Sequence, residues 1–123
     1  MKLTRTIIYS VIDDGSIRRE VMLSDGRAYI HHCSKAVFEA VAHLLDEQRG
    51  QGHTGTSVTK LVDAPFTQVD VAFQLLKERG IIEVRRRRQC WATSGTTFED
   101  AMIEYHSLRE IGSVTFTDSK SWA

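Results

Sequence analysis

The sequence lacks the features of a disulfide-rich or membrane-spanning protein. Only two cysteines, Cys33 and Cys90, occur in 123 residues, which excludes a disulfide framework and favours a reduced, cytoplasmic setting. No apolar run approaches the length of a membrane span, and no secretory signal is apparent, so we expect no membrane partner. With 41% hydrophobic and 26% charged residues, the composition indicates one globular domain.

The chain also lacks net charge, because 16 Lys and Arg residues balance 16 Asp and Glu residues. A dedicated polyanion binder is usually more basic overall. The charge is nevertheless segregated along the chain. Residues 80–96 carry four arginines against one acid, whereas residues 97–123 carry five acids against one arginine and one lysine. Any contact with nucleic acid is therefore expected from a local basic segment.

Motifs for catalysis, cofactors and metals are missing as well. No CxxC, HxxxH or HExxH spacing occurs, and the glycines between residues 50 and 55 lack the context of a phosphate-binding loop. The one cluster of ligand-type residues is His31-His32-Cys33, in which adjacent histidines on a strand would point to opposite faces. We therefore predict no enzymatic activity, no cofactor and no metal site, and we expect both cysteines to be buried.

The first 33 residues have the pattern of an antiparallel β-meander. Three alternating or β-branched runs are separated by two Asp-Gly turn signals, at residues 14–15 and 25–26. The predicted strands are Thr6–Ile12, Ile17–Leu23 and Ala28–His32.

At Ser34 the period changes to that of amphipathic helices. Ser34 is expected to cap a first helix that fades near Arg49, with an apolar face made of Val37, Phe38, Val41, Leu44 and Leu45. A short second helix, capped by Thr56 or Ser57, should end before Pro65, because the residue before proline disfavours the helical region.

A third helix is predicted from about Gln68 to Arg79, with Thr67 as its cap and Gly80 as its terminator. Its inward positions are Val69, Ala72, Phe73 and Leu76. Strand patterns then return on either side of the arginine run, which predicts a hairpin.

A final helix is predicted from Thr96, with Glu99 completing a capping box, to about Ile111-Gly112. Part of its apolar stripe, Phe98, Met102 and Tyr105, is a candidate homodimer interface. The alternative, that this helix packs on the first helix of its own chain, stays equally open. We expect residues 113–123 to be a flexible tail, whose aromatic residues Phe116 and Trp122 are candidates for docking on the rest of the domain.

The order of these elements resembles a winged helix-turn-helix domain. The resemblance is carried by "TQVDVAFQLLKERGIIEV", residues 67–84, in which a helix ends at Gly80 and two aliphatic residues begin a wing. Together with the elements read from the residues, it gives a predicted α+β fold over residues 1–112: the β-meander (1–33), the helices and wing (34–96) and the C-terminal helix (97–111). The meander is not part of the superfamily's usual pattern.

The resemblance also implies a function, that of a small DNA-binding protein acting as a transcriptional regulator. The arginine run Arg85, Arg86, Arg87 and Arg88 would lie at the tip of the wing and contact the phosphates of double-stranded DNA. The simpler interpretation is a solvated hairpin tip. Because no Gly, Asn or Asp occurs there, we expect a longer loop rather than a two-residue turn.

The third helix would be the recognition helix, and its outward residues do not all suit this role. Thr67, Gln68, Val71 and Gln74 are the candidates for base contacts. Asp70 and Glu78 on the same face would repel phosphates. The alternative is that Val71 and Leu75 bury against another element, such as the meander or a second chain. A winged helix that binds a protein partner instead of DNA, as a protein–protein interaction module, is then the second hypothesis.

Overall fold

The computed structural model describes residues 2–121, with side chains from residue 3 to residue 118. Within these residues the fold is α+β, as predicted, with four helices and six strands. In chain order they are β1 (Lys2–Val11), β2 (Ile17–Leu23), β3 (Ala28–Cys33), α1 (Lys35–Glu47), α2 (Gly55–Val62), α3 (Phe66–Glu78), β4 (Ile82–Arg86), β5 (Gln89–Ala92), α4 (Thr97–Ile111) and β6 (Ser113–Ser121). Antiparallel pairing gives a four-stranded sheet, in the order β3-β2-β1-β6, and a separate hairpin of β4 and β5.

The first three strands form the predicted meander, and both Asp-Gly turns lie where the sequence indicated. Gly15 and Gly26 have φ angles of 87° and 94°, which a residue with a Cβ rarely adopts. Asp14 and Asp25 each accept a hydrogen bond from the backbone N–H two residues further on, at 2.9 and 3.1 Å. These local turns explain why the meander could be read from the sequence.

The C-terminal segment is a strand as far as Ser121, so the prediction of a flexible tail from residue 113 onward is wrong for residues 113–121. β6 pairs with β1 from Ser113 to Ser121. The ring of Phe116 meets Tyr9 edge-on, with centroids 6.0 Å apart, which confirms the docking of Phe116. The Arg5 guanidinium donates to both carboxylate oxygens of Asp118, at 2.9 and 2.6 Å. Trp122 lies outside the described residues.

Helices α1 and α4 begin where the sequence predicts, although only one has the predicted cap. The Ser34 side chain accepts a hydrogen bond from the Val37 N–H at 3.1 Å. The capping box at Thr96 is absent, because its hydroxyl donates to the Asp100 carboxylate at 3.2 Å instead. Asp100 near the start of α4 provides the negative charge that favours a helix N-terminus.

Helices α2 and α3 begin earlier than predicted. The cap of α2 is Thr54, which forms a reciprocal capping box with Ser57, so neither Thr56 nor Ser57 is the cap. The N-cap position of α3 is Pro65, which removes Thr67 from that role. The fixed φ of proline suits the start of a helix, which explains why Pro65 begins α3 as well as ending the preceding turn.

Gly80 ends α3 as predicted, with a φ of 73°. The N–H of Gly80 donates to the carbonyl of Lys77 at 3.1 Å, and the N–H of Ile81 donates to the carbonyl of Leu76 at 2.9 Å. This pair of hydrogen bonds is the Schellman arrangement, which reverses the chain direction. It therefore sets the direction in which the β4–β5 hairpin leaves the helices.

Helix α3 is covered on two sides. The predicted inward residues Val69, Ala72, Phe73 and Leu76 are all buried. Val71 and Leu75 are also buried, at 1% and 2% exposure, because α3 packs against β3 and β2 as well as against α1 and α2. The meander thus covers a side of α3 that the sequence left open.

Helix α4 packs on α1 and β1 of its own chain. Tyr105 is fully buried, lies 5.9 Å from the Phe38 ring, and donates its hydroxyl to the Gly15 carbonyl at 2.5 Å. Phe98 stacks on His43 of α1, with ring centroids 3.8 Å apart. Tyr105 is therefore buried within its own chain, and its assignment to a dimer seam is wrong. Phe98 and Met102 are half-buried and line a shallow depression on α4, so their place in a homodimer interface stays a prediction.

Candidate functional site

The arginine run forms the tip of the β4–β5 hairpin, which turns in two residues. Arg87 and Arg88 are the turn residues, with φ angles of 47° and 67°. Positive φ at both positions is the signature of a type I′ turn, which Gly, Asn and Asp normally occupy. The expectation of a longer loop is therefore wrong. A register shift between Val84 and Arg86 marks an irregularity just before the tip.

The tip carries positive charge that the chain does not neutralise. Arg85 donates to Glu83 at 2.8 Å. In the described part of the chain, no carboxylate lies within ion-pair distance of Arg86, Arg87 or Arg88, and all three are exposed. These three guanidinium groups are thus available to an external anion.

The base of the hairpin is held firmly against the loop between α1 and α2. His53 and Cys90 exchange two backbone hydrogen bonds, at 2.9 and 2.8 Å. Trp91 covers Gly52 so closely that a Cβ at this glycine would lie 2.4 Å from the indole ring. The glycines of this loop therefore serve the close approach of the hairpin, and the tip projects from a fixed base.

His53 is a buried polar residue at this junction. Its side chain is 5% exposed, Nδ1 lies 3.2 Å from the Ser57 hydroxyl, and Nε2 has no hydrogen-bond partner among the described residues. Burial lowers the pKa of His53, because the charged imidazolium is poorly solvated there. A neutral His53 is therefore part of the folded junction.

A groove of about 520 Å³ lies between the start of α2, the exposed side of α3 and the hairpin. Apolar and basic side chains both reach it, and its lining includes Thr54, Phe66, Asp70, Lys77, Val84 and Arg88. Phe66 and Val84 are 50% and 54% exposed although both are large and apolar. A smaller depression of about 390 Å³ is lined by Thr54, Arg86, Arg87 and Gln89. Thr54, the cap of α2, therefore contributes to both depressions, together with three of the arginines.

The four α3 residues predicted to contact bases have different positions. Thr67 is exposed, and Gln74 lines the groove, where its amide donates to Asp70 at 3.2 Å. Gln68 is half-buried, and its side-chain oxygen accepts from the Ser34 N–H at 3.0 Å. Val71 is buried in the core, so its assignment as a base-contacting residue is wrong.

No protein-family model, curated protein or solved structure matches the chain. The site is therefore interpreted from its own geometry.

The two cysteines are buried, as expected. Burial raises the pKa of the Cys33 thiol to about 12 and also raises that of Cys90, so both are protonated at neutral pH. Across residues 2–121, no group of three or more His, Cys, Asp or Glu side chains could hold a metal ion. In the same residues, no helix is long and apolar enough to cross a membrane.

Sequence reasoning found the arginines but missed most of the groove. Thr54, Phe66, Lys77 and Val84 were not among the predicted site residues. The Thr54-x-x-Ser57 spacing was a readable cap signal, since Thr and Ser at this spacing satisfy each other's backbone N–H groups. The exposure of Phe66 and Val84 had no signal in the sequence, because apolar residues in helices and strands are usually buried.

Proposed function

We propose that the chain is a small DNA-binding protein of winged helix-turn-helix architecture, in which the β4–β5 hairpin holds the phosphate backbone. The observation that carries the proposal is the set of three exposed arginines at the hairpin tip, Arg86, Arg87 and Arg88, which have no ion-pair partner in the part of the chain that the structure describes. A guanidinium is always charged and its planar fork fits phosphate oxygens. A role as a transcriptional regulator, which the resemblance implies, is part of this proposal.

The architecture supports the proposal through element order. Three helices are followed by a glycine and a hairpin, and α3 ends at the base of that hairpin. Thr54, at the start of α2, lines both depressions that the arginines reach. The positive end of the helix dipole adds a favourable interaction with an anion there, although Thr54 and Ser57 already satisfy part of the N-terminal N–H groups.

In this proposal, α3 makes fewer base contacts than the sequence predicts for a recognition helix. Of the predicted contacts, Thr67 and Gln74 remain accessible, and Asp70 and Glu78 share their side of the helix. Phosphate contacts position a protein on DNA but carry no sequence information. We therefore expect binding that depends on charge and discriminates weakly between duplex sequences.

The test compares two triple variants of equal charge. Arg86→Ala/Arg87→Ala/Arg88→Ala removes the tip, whereas the matched control Arg27→Ala/Arg49→Ala/Arg109→Ala removes three exposed arginines elsewhere. Fluorescence anisotropy with two unrelated duplexes should show affinity reduced by roughly 100-fold or more for the tip variant, since three charged hydrogen bonds, each worth on the order of 1 kcal/mol, add to about 3 kcal/mol. Equal losses for both variants would contradict the proposal.

A second candidate function is a protein–protein interaction module. The observation that favours it is the pair of exposed apolar residues beside the tip, Phe66 and Val84, in a chain without net charge. A homodimer through α4 would have to use its outward side, where Ile103 is 66% exposed, rather than the buried Tyr105. A wild-type protein that binds no duplex even at low salt would favour this candidate.

A further inference from the structure

We infer that the groove between α2, α3 and the hairpin seats an unstacked base of single-stranded nucleic acid, with a preference for bases that carry an exocyclic amino group. The inference rests on the proposed function, in which the tip arginines bind phosphates, and it identifies the part of the nucleic acid that occupies the adjacent groove. It begins with Phe66 and Val84, two large apolar side chains that line the same groove at 50% and 54% exposure.

The Phe66 ring has a defined place at the mouth of the groove. It lies close to the first residue of α2, because a Cβ at Gly55 would be 3.5 Å from Phe66 Cε2. An exposed aromatic ring beside basic side chains is the usual platform on which single-stranded nucleic acids stack their bases. The groove volume of about 520 Å³ is in the range of small-ligand sites.

The polar groups inside the groove can read the edge of such a base. Gln74 Nε2 donates to Asp70 Oδ1 at 3.2 Å, which orients the carboxylate and leaves its second oxygen as an acceptor. A carboxylate accepts hydrogen bonds from exocyclic amino groups such as N4 of cytosine, and thymine has no such donor. Asp70 would repel a phosphate, but it suits the edge of an amino-bearing base.

Charge complementarity places the backbone of the ligand at the rim. Lys77 and Arg88 line the same groove, and Arg86 and Arg87 line a second depression that shares Thr54 with it. A nucleotide with its base on Phe66 would therefore have several cations nearby for its phosphates. A base in a duplex is stacked on its neighbours, so this seat requires a single strand or a base turned out of the helix.

The experiment measures the binding of oligo(dC), oligo(dT) and a duplex of equal length by fluorescence anisotropy at neutral pH. Phe66→Ala should weaken oligo(dC) binding by roughly 5- to 100-fold, the loss expected for one stacked base, and leave duplex binding unchanged. The matched control is Leu61→Ala, which truncates a side chain 55% exposed on α2 and outside the groove. Asp70→Asn should reduce the preference for oligo(dC) over oligo(dT). Thermal unfolding of each variant verifies that it is folded.

The outcomes separate this inference from the proposed function. If Phe66→Ala and Leu61→Ala change single-strand binding equally, the groove seats no base, although duplex binding that depends on the tip arginines would still support the phosphate grip. If single strands and duplexes bind but neither responds to loss of the arginines, the proposed function fails. If the protein binds no oligonucleotide, both the proposed function and this inference are contradicted, and the groove is then better explained as a binding site for a protein partner.

Discussion

Replacing the turn residues by Asn-Gly, as Arg87→Asn/Arg88→Gly, should stabilise the protein while weakening its hold on DNA. Both positions have positive φ, at 47° and 67°. A residue with a Cβ costs about 1–2 kcal/mol in this region, whereas Gly has no such cost and Asn tolerates it. The double substitution should therefore raise the free energy of unfolding by about 1–2 kcal/mol, which for a domain of this size raises Tm by roughly 3–8 °C.

The assay is thermal unfolding followed by circular dichroism, with Arg87→Ala/Arg88→Ala as the control. The alanine pair removes the same charges but keeps a Cβ at both positive-φ positions, so it should not raise Tm. Both variants should lose duplex affinity to a similar extent, because the lost charge is the same. If the Asn-Gly variant is no more stable than the alanine variant, the hairpin tip does not have the strained turn described here.

Three further changes test the junction and the core. Gly52→Ala should lower the free energy of unfolding, measured with urea, by about 1–3 kcal/mol, because the added Cβ would lie 2.4 Å from the Trp91 ring. Gly50→Ala is the control, since a Cβ at Gly50 meets no atom within 4 Å. Equal effects of the two substitutions would refute this packing. Burial lowers the pKa of His53 in the folded protein, so on acidification the unfolded chain binds a proton at this imidazole before the folded chain does. The free energy of unfolding should therefore fall as the pH drops below about 6.5, and His53→Gln should weaken this pH dependence. An identical pH profile for the wild type and His53→Gln would contradict the burial of a neutral His53. Val71→Ala should cost about 1–3 kcal/mol and the exposed Thr67→Ala less than about 0.5, and similar losses would mean that α3 is oriented differently.

The elements that could be predicted from the sequence are those with local signals. The Asp-Gly turns define the meander, Ser34 begins α1, and Gly80 ends α3, because each of these residues meets a backbone requirement within a few positions of itself. The strand β6 has an alternating pattern in Val114 and Phe116, but no turn signal joins it to a neighbouring strand, and the prediction missed it. It depends on pairing with β1, from the other end of the chain, and on the contact of Phe116 with Tyr9.

The orientation of α3 could be predicted only in part. Its apolar residues cover more than one side of the helix, so the sequence left two alternatives for Val71 and Leu75. The packing of α3 on β3 and β2 decides between them, and that contact joins segments far apart in sequence. The same contact shows why a helix that resembles a recognition helix can have a narrow exposed side.

The candidate site, too, could be predicted only in part. A run of four arginines is visible in any reading of the chain, and its position between two strands predicts a hairpin tip. The groove beside it is formed by residues from α2, α3 and the hairpin, which meet only in the folded chain. Phe66 and Val84 follow the apolar pattern of buried residues but are exposed, because no helix or strand among the described residues covers them.

The salt dependence of duplex binding tests the central claim most directly. For a protein that binds phosphates, the logarithm of the binding constant falls linearly with the logarithm of the salt concentration, by about 0.9 per phosphate contact. The account predicts that Arg86→Ala/Arg87→Ala/Arg88→Ala makes this slope shallower by about 3, one contact for each arginine, and that the control triple variant keeps the wild-type slope. Identical slopes for the wild type and the tip variant would contradict the account.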